Sequence, residues 1–296
     1  MAFDWASAFG CEREHLFAVA YRMLGSAAEA EDVLQDAFLR VQGTEEVPRS
    51  ARAMLTTVVV RLCLDALKSA RARREAYVGP WLPEPIAASI SADNDQVDRS
   101  PEGAFGQAES LSMGLLVVLE ALSPLERAAF LLREAFDYDF AEIGEALGRS
   151  EAACRQLHHR ARKHVDERHV RYTASREDAL RLVTAFMTAV ATGDAAGVTG
   201  LLTHDAVSIT DGGGVVSAAR KPIIGPERVA AFFVGLAKKG GGSGEMSAEL
   251  SEINGRLALL LRFSGRLTHV FNFEYEGQRI RRILIVSNPE KLTTLA

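Results

Sequence analysis

Ser123–Val165 reads SPLERAAFLLREAFDYDFAEIGEALGRSEAACRQLHHRARKHV, and its start and stop signals divide it into three helices. The first opens at Ser123-Pro124-Leu125-Glu126, where a serine N-cap, a proline at the first helical position and a glutamate three residues on satisfy free N–H groups. Asp139 with Glu142 repeats that arrangement for the second helix. Its inward stripe is Ile143, Ala146 and Leu147, and Gly148 ends it at a position that calls for positive φ. Ser150 caps the third, in which Cys154, Leu157, Ala161 and Val165 recur at helical spacing and face a core. The last two helices form a helix-turn-helix.

The outward face of the third helix carries Arg155, Gln156, His159, Arg160, Arg162 and Lys163. A basic, hydrogen-bonding face on the second helix of such a pair suits the major groove, with the first turns at base edges and later cations near phosphates. A charged face is also what solvent alone selects. DNA recognition is the reading favoured here, with His158, His159 and His164 its least secure members.

Outward from this stretch, 296 residues suit two or three domains. A composition of 48% hydrophobic and 25% charged residues excludes whole-chain disorder. The formal net charge of −5 is unusual for a protein that grips DNA alone, because duplex affinity is largely phosphate neutralisation. Cys11, Cys63 and Cys154 lie far apart within helical apolar patterns, so buried free thiols in a reducing cytosol are expected, with no metal and no cofactor. The N-terminus lacks a basic segment followed by an apolar core, and Leu115–Val118 and Leu257–Leu261 are too short to span a bilayer. A cytoplasmic protein without a membrane segment is the expectation.

Residues 3–24 form an amphipathic helix with Phe9, Leu16, Phe17, Ala20 and Leu24 inward, ending at Gly25. Ser26 and Glu29 open the next, where Val33, Leu34, Ala37, Phe38 and Val41 face in while Glu31, Asp32, Gln35, Asp36 and Arg40 face out. That acidic face, taken alone, reads as solvated surface. From Ser50 to about Glu75 a long helix begins apolar, with Leu55, Val58, Val59, Leu62 and Leu64, and ends basic, with Arg61, Lys68, Arg71, Arg73 and Arg74 against Asp65 and Glu75. Cations there complement the helix macrodipole and also offer phosphates a surface.

AEAEDVLQDAFLRV at 28–41, the basic helix ending KSARARRE and the helix-turn-helix resemble, in order and spacing, the bacterial extracytoplasmic-function sigma factors over most of residues 5–168. The resemblance implies two all-α sigma domains. Region 2, residues 1–75, would dock through Asp32, Gln35 and Asp36 on the β′ coiled coil of core RNA polymerase. It would engage the −10 element through Arg61, Asp65, Lys68, Arg71 and Arg73. Region 4, residues 107–168, would engage the −35 element of promoter DNA through Arg155, Gln156, His159, Arg160 and Lys163, and would touch the β flap. A sigma factor acts within a larger enzyme, so its own charge need not be positive.

Residues 76–106 read as a linker, extended at YVGPWLPEP and flexible beyond, in which Trp81 needs a cover. WLPEP resembles a linker signature of the sigma-J-like subgroup, which carries a SnoaL-like C-terminal domain. Residues 176–296 agree with this. A helix from Arg176 carries Leu180, Leu182, Val183, Phe186, Met187 and Val190, and a short second helix leads to His204-Asp205. Val207–Thr210 then alternates as a strand up to Asp211-Gly212-Gly213-Gly214, and a helix passes through Val229, Phe232, Phe233 and Leu236 to a glycine-rich loop at 240–244. Strands follow at about 246–253, 256–263, 267–275 and 279–286, with Asn254-Gly255 and Glu276-Gly277 as hairpin signals. Helices followed by a curved antiparallel sheet make an α+β cone, similar to the SnoaL-like, NTF2-like fold.

By the same resemblance, Trp81, Leu82 and Pro83, then Asp211, Gly212 and Gly213, then Asn288, Pro289, Lys291 and Leu292 would form an intramolecular regulatory contact, with no anti-sigma factor required. Val215 stands where a basic residue would be expected, which puts an ionic contact at that position in doubt. Asp211, His204, Asp205, His269 and Tyr275 are the titratable candidates for catalysis, but Asp211 before three glycines reads as an Asx turn and His204-Asp205 as a cap. The expected protein is therefore an alternative sigma factor modulated in cis, and not an enzyme. The other reading is a stand-alone helix-turn-helix regulator with a ligand-sensing C-terminal domain.

Overall fold

The computed structural model describes residues 3–44, 48–87, 111–168, 174–239 and 245–295. The chain forms two compact units, Met1–Ala76 with Ala88–His169, and Tyr77–Ala87 with Val170–Ala296. The glycine-rich loop at 240–244 and the linker beyond Ala87 to residue 110 lie outside the described residues.

The first unit is helical among its described residues. Helix α1 (Trp5–Leu24) starts at Asp4, whose side chain accepts from the Ser7 N–H, and stops at Gly25 with φ +70°. Ser26 caps α2 (Ala27–Gln42) and Ser50 caps α3 (Ala51–Glu75). Next comes α4 (Met113–Leu119), a short apolar helix that the sequence reading did not separate from its surroundings. The predicted capping boxes of Ser123 with Glu126 on α5 (Pro124–Glu134) and of Asp139 with Glu142 on α6 (Phe140–Leu147) are formed in full, while for the box predicted at Ser26 and Glu29 the Ser26 hydroxyl accepts from the Glu29 N–H. Helix α7 (Glu151–Arg168) follows the left-handed Gly148.

Leu16, Met23 and Leu24 of α1, Leu34 and Ala37 of α2, and Leu55, Val59 and Val60 of α3 are buried, as are Leu131 and Leu132 of α5 and Ile143 of α6. Cys154, Leu157, Ala161 and Val165 of α7 turn inward as their spacing requires. Cys11 departs from expectation. It is exposed while Cys63 and Cys154 are buried, because it lies two residues beyond the inward Phe9 and so about 200° further round the helix.

Within this unit the two helical blocks are joined by polar contacts. Arg127, almost wholly buried, donates to the Met23 carbonyl and the Glu120 carboxylate, both at 2.7 Å. Arg74 pairs with the same carboxylate and donates to the Leu24 carbonyl at 2.7 Å. Two cations thus share one acid while closing the end of α1, where carbonyls lack helical partners. Burial lowers the Arg127 guanidinium to about 10, still charged at neutral pH.

The second unit is α+β. Its six strands are β1 (Leu202–Asp211), β2 (Ile223–Ile224), β3 (Met246–Ile253), β4 (Arg256–Phe263), β5 (Arg266–Glu276) and β6 (Arg279–Val286), in the order β2-β1-β6-β5-β4-β3. Helices α8 (Arg176–Thr192), α9 (Ala195–Leu201) and α10 (Pro226–Lys239) contribute Leu182, Val183, Phe186, Val198 and Phe233 to a core with Phe271, Phe273, Ile283 and Ile285. The sheet is mixed and not purely antiparallel, because β6 returns beside β1 in parallel after the β3–β5 meander. The first strand is longer than expected and begins at Leu202, so His204 and Asp205 are strand residues and do not cap a helix. His204 faces solvent and Asp205 accepts from Arg281 at 3.2 Å.

Asn254 and Gly255 turn with φ +52° and +67°, as two-residue hairpins require. The Asn254 side chain also accepts from the Ile86 N–H, and its own N–H donates to the Ile86 carbonyl. Residues Leu82–Ile86 are buried in this unit, with Ala87 bridged to Ile253.

Candidate nucleic-acid surface and tail clasp

On α7, Arg155, Gln156, His159, Arg160 and Lys163 all emerge on the exposed side. The turn leading into this helix is tight. A Cβ on Gly144 would meet the Arg149 carbonyl at 2.8 Å, so the absence of a side chain permits the approach that the Arg149 N–H···O Gly144 bond fixes. Three of the cations are held in place. Arg155 pairs with Glu151 one turn earlier and lies over the Phe140 ring at 4.6 Å; Arg160 pairs with Glu126 at 2.7 Å; Arg162 pairs with Glu134 at 3.0 Å. Burial alone would raise the Glu126 carboxyl, but Arg160 and the Ser123 hydroxyl and N–H outweigh it and hold it below the usual carboxylate range. His158 is a packing residue, bonded to Glu134 at 2.7 Å and stacked on Phe130.

The other two sets separate. Asp32, Gln35 and Asp36 lie together on the exposed face of α2, joined by Leu39, an exposed apolar residue the sequence reading passed over. On α3, Lys68 pairs with Asp65 at 2.7 Å, and that bond holds the Asp65 carboxyl below its ordinary range. The side chains of Arg71 and Arg73 lie outside the described residues. Arg61 is directed at α6, donating to the Ala146 carbonyl at 3.2 Å and the Glu145 carbonyl at 3.0 Å.

In the second unit three distant segments meet. The Asp211 carboxylate is fully buried at the end of β1 and accepts from the Tyr77 hydroxyl at 2.7 Å, the Leu82 N–H at 2.8 Å, the Gly213 N–H at 3.0 Å and the Lys291 ammonium at 2.7 Å. Lys291 also donates to the Leu82 carbonyl at 2.5 Å and sits over the Trp81 ring at 4.1 Å and the Tyr77 ring at 5.1 Å. Asn288 donates to the Tyr77 hydroxyl at 3.0 Å, and the Ser287 and Asn288 N–H groups donate to the Asp211 carbonyl. Burial, then the neighbouring Asp211 carboxylate, push the Tyr77 hydroxyl well above the ordinary tyrosine value. Pro83 and Leu292 are buried alongside. Gly213 has φ +63°, and a Cβ there would come within 2.4 Å of the Asn288 side chain, so the second glycine is required twice over. The Asx turn expected of Asp211 is present, but the same carboxylate also carries the ion pair.

Residues 9–73 match the Sigma-70 region 2 family and residues 112–165 the Sigma-70 region 4 family. The chain is 37% identical to the ECF RNA polymerase sigma factor SigJ of Mycobacterium tuberculosis, over 97% of this chain and 93% of that protein. It belongs to the ECF sigma factors. Members of this family are transcription initiation factors and not enzymes. A second relative, the probable ECF RNA polymerase sigma factor SigI of the same organism, is 36% identical over 64% of this chain and 63% of that protein. The crystal structure of M. tuberculosis SigJ superposes with a TM-score of 0.75 at 34% identity, covering 98% of both chains.

In this sigma factor, Val215 is 61% exposed and makes no ionic contact, so the cation beside Asp211 comes from the tail and not from the turn. Tyr77 was missed as a member of the clasp, although a tyrosine four residues before the tryptophan was the available signal. The catalytic candidates do not converge. His204, Asp205 and Asp211 lie on one strand and His269 and Tyr275 on another, with Asp211 saturated by four donors. Among the described residues no group of three or more His, Cys, Asp or Glu is placed to hold a metal, and no helix is long and apolar enough to cross a membrane.

Proposed function

We propose that this sigma factor binds core RNA polymerase in the cytoplasm and directs it to promoters, with its C-terminal domain acting in cis on that activity. The α7 face bearing Arg155, Gln156, His159, Arg160 and Lys163 reads the −35 element. Helix α3, with Arg61, Asp65, Lys68, Arg71 and Arg73, engages the −10 element, and Asp32, Gln35 and Asp36 dock on the β′ coiled coil, with region 4 on the β flap. Exposed cations already paired with carboxylates exchange them for phosphates at small cost, which suits a helix that becomes a promoter reader inside a larger assembly.

The single observation that carries regulation in cis is the Lys291–Asp211 pair. It fastens the tail to the turn after β1 and, through the Leu82 N–H and carbonyl, to the segment that follows the basic helix. Any force on residues 77–82 is thereby felt by a buried ion pair, with no anti-sigma factor needed. The test is truncation. Removal of residues 289–296, and separately of everything from residue 176, should alter core binding or promoter-specific transcription with purified core polymerase. Unchanged behaviour in both would end the proposal of control in cis.

A further inference from the structure

Four donors converge on the Asp211 carboxylate, and only Lys291 among them carries a charge. The other three, the Tyr77 hydroxyl and the Leu82 and Gly213 N–H groups, belong to 77–82 and 211–213, as do the two aromatic rings and the Leu82 carbonyl that face the ammonium. These groups around the ammonium all lie outside residues 289–296, and Lys291 supplies the occupant. Without it, a buried carboxylate with three neutral donors remains an uncompensated anion beside two π faces, which is the composition of a cation receptor.

We propose that this cage is a binding site for a primary alkylammonium, filled in cis by Lys291 and open to a free ligand of that chemistry when the tail is away. The proposal rests on the reading that the tail modulates the chain. At least two of the occupant's N–H groups are used, one on Asp211 and one on the Leu82 carbonyl, so a primary amine satisfies both acceptors. A quaternary ammonium keeps the aromatic contact but leaves the Leu82 carbonyl unpaired. The tether gives Lys291 an effective concentration on the order of millimolar, so a free ligand binds readily only where Lys291 is absent or released.

The experiment uses the full chain with Lys291→Ala in a Trp5→Phe background, so that Trp81 alone reports by fluorescence, with the thermal midpoint as a second readout. The probe is n-propylammonium chloride, which restores the atoms the alanine removes. It should change Trp81 emission and raise the midpoint, with half-saturation at least about tenfold lower than in the chain retaining Lys291. Tetramethylammonium should be much weaker, and n-propanol or sodium chloride should have no comparable effect. If the Lys291→Ala chain does not melt cooperatively, a chain ending at Asn288 takes its place under the same predictions. A response to n-propylammonium no larger than to sodium chloride, in a cooperatively melting variant, overturns the site. Transcription readouts separate the two proposals. If Lys291→Ala alters promoter-specific transcription and n-propylammonium neither binds nor restores it, the ammonium site is wrong and control in cis stands. If n-propylammonium binds and transcription does not depend on Lys291, the site stands and control in cis falls.

Discussion

On α7, Arg155, Arg160 and Arg162 are 59%, 58% and 49% exposed, and each meets a carboxylate. At the end of β1, Lys291 and Asp211 are 12% and 0% exposed and make one further ion pair of similar length. The partners are alike and the surroundings are not. Water screens the first set, so each pair is worth about 0–1 kcal/mol and can be traded for a phosphate. The second has given up its hydration, so losing one partner leaves an uncompensated buried charge at about 3–5 kcal/mol. One surface is built to exchange partners and the other to hold or release as a unit.

The largest test of that contrast is Lys291→Ala, which should cost the second unit about 3–5 kcal/mol in urea unfolding. A loss below about 1 kcal/mol would place the clasp among the exposed pairs. Gly213→Ala should cost about 1–3 kcal/mol by the same measurement, through its left-handed φ and the collision with Asn288. Arg155→Ala or Gln156→Ala should leave stability within about 0.5 kcal/mol and weaken −35 selectivity by about 1–3 kcal/mol per lost bidentate contact. Unchanged promoter choice in both would remove that face from recognition. The smallest effect belongs to Glu151→Gln, which should change stability by less than about 0.5 kcal/mol in urea unfolding.

The two surfaces should also part with pH. Tyr77 has its folded value raised, so its contribution to stability is full below the ordinary tyrosine value of about 10 and is lost as pH climbs through the folded value. Ultraviolet titration should show Tyr77 ionising above the ordinary tyrosine range, together with a change in Trp81 emission. In acid the sign reverses for Glu126. Its folded value is lowered, so stability present above the ordinary glutamate range is lost as pH falls through the folded value.

What could be read from sequence was local. Caps at Ser123 and Asp139, the left-handed Gly148 and the Asn254-Gly255 hairpin are fixed by residues within four positions of one another, and each is found where the pattern placed it. Neighbour rules do not specify what lies at a distance in the chain. Asp211 announced an Asx turn, but its ion pair comes from 80 residues away, and Tyr77 lies 134 residues from the acid it bonds. The parallel pairing of β1 with β6 is likewise a product of the crossover, which strand patterns alone do not record. Gly144 was passed over because mid-helix glycine has no turn signature; its reason is a carbonyl five residues on. Arg61, a candidate for the −10 element, also donates to two α6 carbonyls, a second use that its charge does not announce.

The central claim, that the exchangeable face acts only as part of a polymerase assembly, is tested most directly by run-off transcription on genomic fragments with purified core RNA polymerase. Adding this chain should produce discrete new start sites, while the chain alone binds the same fragments weakly. Tight, sequence-specific binding by the isolated chain, with start sites unchanged when it is added to core enzyme, would contradict the account.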